Sequence, residues 1–145
     1  MVLPKPVPGL VIRYSYLCRR EHLEGQEDGR KDRSCAIVAA VLTDESGDTR
    51  VLVLPITHTP PDDANLAVEI PAKVKARLRL DEKQSWVVLS EWNEFMWPGP
   101  DLRRSPNADD ASVAHGMLPP SLFSTIRDRF VALPRSGATK QVRRT

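Results

Sequence analysis

Arg33, the triplet Thr57-His58-Thr59 and Glu91 stand out as residues whose types and spacing could do chemistry. An arginine is a permanent cation with a planar fork of donors. A threonine brings a hydroxyl, and a histidine titrates near neutrality. Together such groups can hold an anion and move a proton. Other chemistries find no footing. The sequence has no Gly-rich loop opening a helix, no Gly-x-Ser-x-Gly elbow and no His-Glu-x-x-His pair. His22, His58 and His115 are scattered without ligand spacing, so no metal and no cofactor are expected.

Two apolar runs must position these groups. Cys35 to Leu42 is continuous and of strand length, Glu45-Ser46-Gly47-Asp48 has turn chemistry, and Arg50 to Ile56 follows. This is the pattern of a β-hairpin, and its lack of strict alternation implies strands covered on both faces. Arg33 and Thr57 lie about equally far from the turn, so they should be neighbours at the open end of the hairpin. Strand alternation points His58 away from the side chain of Thr57. Pro55 cannot donate to a ladder and is expected at the end or edge of its strand.

Elsewhere, Gly9 to Tyr16 reads as a strand, and Leu66 to Ile70 as a short one. Pro71 introduces a helix of two turns at most over Ala72 to Leu78. Ser85 to Leu89 is a buried strand that continues, after a bend, as Glu91 to Trp97. Leu122, Phe123, Ile126, Phe130 and Leu133 recur at helical spacing and mark the one well-patterned helix. Residues 18 to 33, dense in both charges, read as a solvated loop or short polar helix, or as a flap over a binding face. Residues 98 to 114 form an irregular, Pro-containing insertion. The expected fold is mainly β: a small, strongly bent antiparallel sheet or partly open barrel with a C-terminal helix.

The chain has 145 residues, enough for one core. Residues 8–133 are expected to be the domain, and 134–145 a basic, disordered tail. That tail holds Arg135, Lys140, Arg143 and Arg144 and no acidic residue, so the rest carries a net −2 against a total of +2. The body is therefore not a binder that holds duplexes by charge alone. No run approaches ~18 apolar residues, and no leader pattern opens the chain, which gives the cytoplasm as the expected location. Cys18 and Cys35 are expected to be reduced thiols.

The segments Arg33-Ser34-Cys35-Ala36-Ile37-Val38, Val53-Leu54-Pro55-Ile56-Thr57, Ala67-Val68-Glu69-Ile70 and Trp86-Val87-Val88-Leu89-Ser90-Glu91, in this order, resemble the PemK/MazF-like toxin family. Gly9-Leu10-Val11 and Gly116-Met117-Leu118 before the helix also match, so the resemblance runs from about residue 8 to residue 133. It departs at Ser34, where that family usually has proline, at Leu10, where an acidic residue is common, and in the longer 98–114 insertion.

The resemblance implies an SH3-like barrel of the CcdB/MazF type that forms a homodimer. It implies a metal-independent endoribonuclease toxin cutting single-stranded RNA, usually messenger RNA, and neutralised by an antitoxin protein. Arg33 would stabilise the phosphorane, and Thr57 would hold an oxygen or aim the ribose 2′-hydroxyl. His58 is the local candidate for proton transfer. Arg30, Lys31, Thr59, Glu91 and Trp92 would bind the RNA, with Trp92 either stacking a base or filling the core or dimer interface. Two other roles stay open: a non-enzymatic protein of this fold that binds a protein such as a topoisomerase, and an RNA-binding relic without cleavage.

Overall fold

The computed structural model describes residues 4–16, 31–42, 48–81, 83–98, 102, 113–133 and 140–143. It is mainly β. The strands are β1 (Leu10–Tyr16), β2 (Lys31–Leu42), β3 (Thr49–Thr57), β4 (Ala67–Glu69), β5 (Trp86–Val88), β6 (Glu91–Trp97), β7 (Ala114–Met117) and β8 (Lys140–Arg143). Two helices, α1 (Ala72–Arg77) and α2 (Pro120–Ala132), and a 3-10 turn at Ala64–Leu66 complete the described elements. Pro120 sits in the first turn of α2, where a missing amide hydrogen costs nothing.

The hairpin of β2 and β3 is the centre of the sheet. Its register pairs Cys35 with Pro55, Ala36 with Leu54 and Ile37 with Val53, then shifts by one residue before Ala39 pairs with Leu52. β1 lies on the far side of β2, and β7 beyond β1, giving the order β4-β5-β3-β2-β1-β7. Leu10 pairs with Met117 and Val11 with Gly116, and the Leu118 amide donates to the Gly9 carbonyl at 2.9 Å. Gly9 has φ +94°, and a Cβ there would stand 3.2 Å from Met117 Cε, so glycine suits this entry into the sheet.

β3 serves two partners on its other side. Thr49 to Val53 pair with β6, whereas Ile56 and Thr57 pair with β5. Pro55, which has no amide hydrogen, falls in the gap between them. The strand runs past Pro55 to Thr57, one residue beyond the expected Ile56, and Pro55 sits where β3 has a local edge. Leu89 and Ser90 make the bend that takes the chain from β5 to β6.

Both faces of the hairpin are covered, which explains the missing alternation. On one face Val11, Ala36, Leu54 and Ile56 join Ile126 and Phe130 of α2 in a core. On the other, Ile12, Tyr14, Cys35, Ile37, Val51, Val53 and Phe95 form a second core, with the Tyr14 and Phe95 rings stacked at 4.6 Å.

The structure departs from expectation in three further places. The sheet is open and not closed into the barrel that the resemblance implies: its end strands, β4 and β7, do not pair with each other. The charged segment ends earlier than expected, because Lys31, Asp32 and Arg33 already belong to β2, paired with β1. Within the stretch expected as a disordered tail, β8 pairs in parallel with β6, its register setting Lys140 against Glu91 and Arg143 against Glu94. β6 offers an open backbone edge there, and an edge is a template for any extended segment.

Candidate functional site

Continuing the β2–β3 register two residues beyond Cys35 and Pro55 brings Arg33 level with Thr57. Both residues line one cleft of about 340 Å³. Thr59, Ser90 and Glu91 line it too, together with the loop Pro60 to Asp63 and Leu66. Hairpin geometry supplies the Arg33–Thr57 neighbourhood, and the bend at Ser90 delivers Glu91 to the same place.

Thr57 is held by a turn. Its Oγ1 accepts from the Thr59 amide at 3.1 Å, which leaves its own hydrogen free to donate into the cleft. Arg33 makes no ion pair with another described residue, and it lines the cleft. The far wall is fixed by Asp63, whose Oδ1 accepts from the Asn65 amide at 2.9 Å and caps the 3-10 turn. The lining thus carries one cation, Arg33, and three carboxylates, from Asp62, Asp63 and Glu91. Among the described residues, no three His, Cys, Asp or Glu side chains converge on a point where they could hold a metal ion.

Period-two alternation removes two nominated residues from this cleft. His58 leaves β3 on the opposite face, where its Nε2 lies 2.7 Å from Asp81 Oδ2. Trp92 follows Glu91 and turns to the helix side, packing edge-on against Phe130 at 5.4 Å between ring centroids. Trp92 is thus placed as a core contact between the sheet and α2. Lys31 begins β2, opposite Tyr16 of β1. Arg30 lies outside the described residues, as do Cys18, most of the 18–33 segment and most of the 98–114 insertion.

Cys35 is fully buried beside this corner. Burial pushes its thiol far above the ordinary value of 9.0, outweighing the opposite pull of the Arg33 and Arg13 charges. It is an inert thiol that fills the core.

Asp62, Asp63, Pro60, Pro61 and Leu66 were not visible as site residues in the sequence. The only local signal is the Pro-Pro-Asp-Asp stretch after the strand, which marks a loop and not its direction. No protein-family model matches the chain, and comparison with curated proteins and with solved structures gives no match. The described helices include none long and apolar enough to cross a membrane.

Proposed function

We propose that this protein is a metal-independent endoribonuclease that cleaves single-stranded RNA in the Arg33–Thr57 cleft, as a PemK/MazF-like toxin. The observation that carries this reading is the meeting of Arg33, Thr57 and Glu91 at one cleft. Those three groups match the three demands of cleavage by a ribose 2′-hydroxyl. The phosphorane gains negative charge, which the Arg33 fork offsets through paired, charge-assisted hydrogen bonds. Thr57 donates to a non-bridging oxygen and fixes the phosphate in line for attack. Glu91, the carboxylate that the β5–β6 bend brings in, accepts the 2′-hydroxyl proton as general base. The 2′-oxygen then bonds to phosphorus, and the 5′-oxygen leaves with a proton from water in the open cleft. The products are a 2′,3′-cyclic phosphate and a 5′-hydroxyl.

Size and charge favour a single strand. A volume of about 340 Å³ is at the small end for ligand sites, roughly 300–1,000 Å³, and suits an unstacked nucleotide and not a duplex. One arginine suits one phosphate, and carboxylates accept hydrogen bonds from the amino groups of splayed bases. The order of elements, with Gly9-Leu10-Val11 paired against Gly116-Met117 and α2 laid on the sheet, supports an SH3-like relationship of the CcdB/MazF type. In this reading a second copy of the chain forms a homodimer, and an antitoxin covers the cleft.

The test is incubation of purified protein with a long single-stranded RNA in EDTA, beside Arg33→Ala and Thr57→Ala. Wild type is expected to release fragments with cyclic phosphate ends, Arg33→Ala to be nearly inert, and Thr57→Ala to slow about tenfold, the worth of one hydrogen bond. RNA left intact by the wild type overturns the reading. The acidic wall makes a protein target the outcome to look for in that event, through growth arrest without RNA loss.

A further inference from the structure

A second cleft of about 250 Å³ opens on the opposite side of the Arg33–Ser34 corner. Arg13, Arg33, Ser34, His58, Asp81 and Ser85 line it. We propose that this cleft is a phosphate-binding site, with Arg13 as its principal donor and the His58 ring beside it.

The charges are arranged for an anion. Among the described residues Asp81 is the only carboxylate in the lining, and it is already matched from two directions. Lys75 Nζ lies 2.9 Å from one of its oxygens, and His58 Nε2 lies 2.7 Å from the other. Desolvation works to raise the Asp81 pKa, but the Lys75 hydrogen bond, the His58 and Lys75 charges and the Lys83 amide together hold it below 3.8. Asp81 thus anchors His58 at Nε2, and Nδ1 on the other side of the ring donates to a ligand when both ring nitrogens carry hydrogen. Arg13 makes no ion pair among the described residues. With Asp81 balanced by Lys75, Arg13 is the unmatched charge of this cleft among the described residues, and Arg33 is shared with the acidic first cleft.

The frame is fixed as well. Arg13 sits opposite Ser34 in the β1–β2 register. The Ser34 hydroxyl lies 3.1 Å from His115 Nε2, and Ser85 Oγ donates to the Lys83 carbonyl at 3.0 Å. These bonds hold the Ser34 and Ser85 walls of the cleft in place before a ligand arrives, which lowers the ordering cost of binding. Arg33 borders both clefts, so under the proposed RNA reading the ligand of the second would be the phosphate next to the one held in the first. Free phosphate presents the same oxygens.

The test is a titration of isotope-labelled protein with inorganic phosphate at constant ionic strength, followed by amide and imidazole NMR shifts. A 2′-deoxy trinucleotide, which lacks the attacking hydroxyl, is titrated separately. Saturable shifts at Arg13, Ser34 and His58 are expected with phosphate, and Thr57→Ala retains them. Arg13→Ala is expected to weaken binding about tenfold or more, the usual loss for a charge-assisted contact. His58→Gln gives a smaller weakening and serves as the second variant if Arg13→Ala fails to fold. Trinucleotide shifts at both clefts together identify a strand phosphate as the source; shifts with phosphate alone identify the free anion. Non-saturating shifts, or equal affinity in wild type and the variants, overturn the proposal. Phosphate binding without RNA cleavage removes the nuclease reading and leaves this site standing.

Discussion

The two clefts beside Arg33 share strands β2 and β3 yet have opposite electrostatic character. The first gathers Thr57, Thr59 and Glu91 around one arginine, with Asp62 and Asp63 on the facing wall. The second gathers Arg13 and His58 around one carboxylate that Lys75 already balances. The division follows from the two-residue period of a strand: Thr57 faces one cleft and His58 the other. An imidazole and a hydroxyl that can fix a phosphate oxygen are therefore adjacent in sequence but turned to different clefts. In the proposed reading the first cleft does chemistry on one phosphate. The second has the parts for holding one.

The largest effect that tests this division is on turnover. Arg33→Ala is expected to lower kcat for RNA cleavage by about a thousandfold, the upper range for loss of an oxyanion-stabilising donor. His58→Ala is expected to raise KM while kcat stays close to that of wild type. Steady-state kinetics on a short single-stranded RNA read both. A His58→Ala variant with kcat reduced as far as that of Arg33→Ala would merge the two clefts into one active site and undo the comparison.

Glu91→Gln comes next, with an expected loss of about a hundredfold in kcat for removal of a general base. If the loss falls on KM alone, Glu91 positions RNA and another group takes the proton.

A smaller effect separates binding from packing. Trp92→Ala is expected to lower stability by about 3 kcal/mol, the low end for an aromatic truncation, because Trp92 is only partly buried where it meets Phe130. Urea denaturation measures this directly. The KM of the folded variant should be unchanged; a rise would return Trp92 to a role in stacking RNA.

Much of the first cleft was legible in the sequence because it rests on local rules. Equal distance from a turn placed Arg33 near Thr57, and alternation turned His58 away. The same alternation, counted from Glu91, separates Trp92 from the cleft. The second cleft was not legible, since Ser34 and His115 meet across 81 residues of chain and Arg13 joins them only through the β1–β2 register. Ser34 stands where the PemK/MazF resemblance leads one to expect proline, and its hydroxyl gives that departure a structural use. Leu10, where an acidic residue is common, is buried beside Ile12 and Tyr14, a place where an unpaired carboxylate would be costly. The bend at Ser90 and the pairing of β8 with β6 depend on sheet geometry that composition does not encode.

The subtlest test concerns acid, and it falls on the second cleft. Burial chiefly, with the Arg13 charge in addition, holds the His115 pKa below the ordinary 6.5, against the opposite influence of a hydrogen bond with the Leu78 backbone. The folded protein therefore keeps His115 neutral where the unfolded chain has begun to protonate it. Below about pH 6.5 the unfolded state binds more protons, so stability must fall as pH falls, until the folded pKa is passed. Above that range both states are neutral and the residue contributes no slope. His115→Gln keeps a polar partner for Ser34 and removes the titration, so its urea midpoint should fall less steeply with acid than that of wild type. Parallel curves would mean that His115 is as free to protonate in the fold as in water. Phosphate sharpens the expectation: an anion on Arg13 offsets one of the charges that keep His115 neutral, so wild type should show a shallower decline in phosphate than in chloride at equal ionic strength.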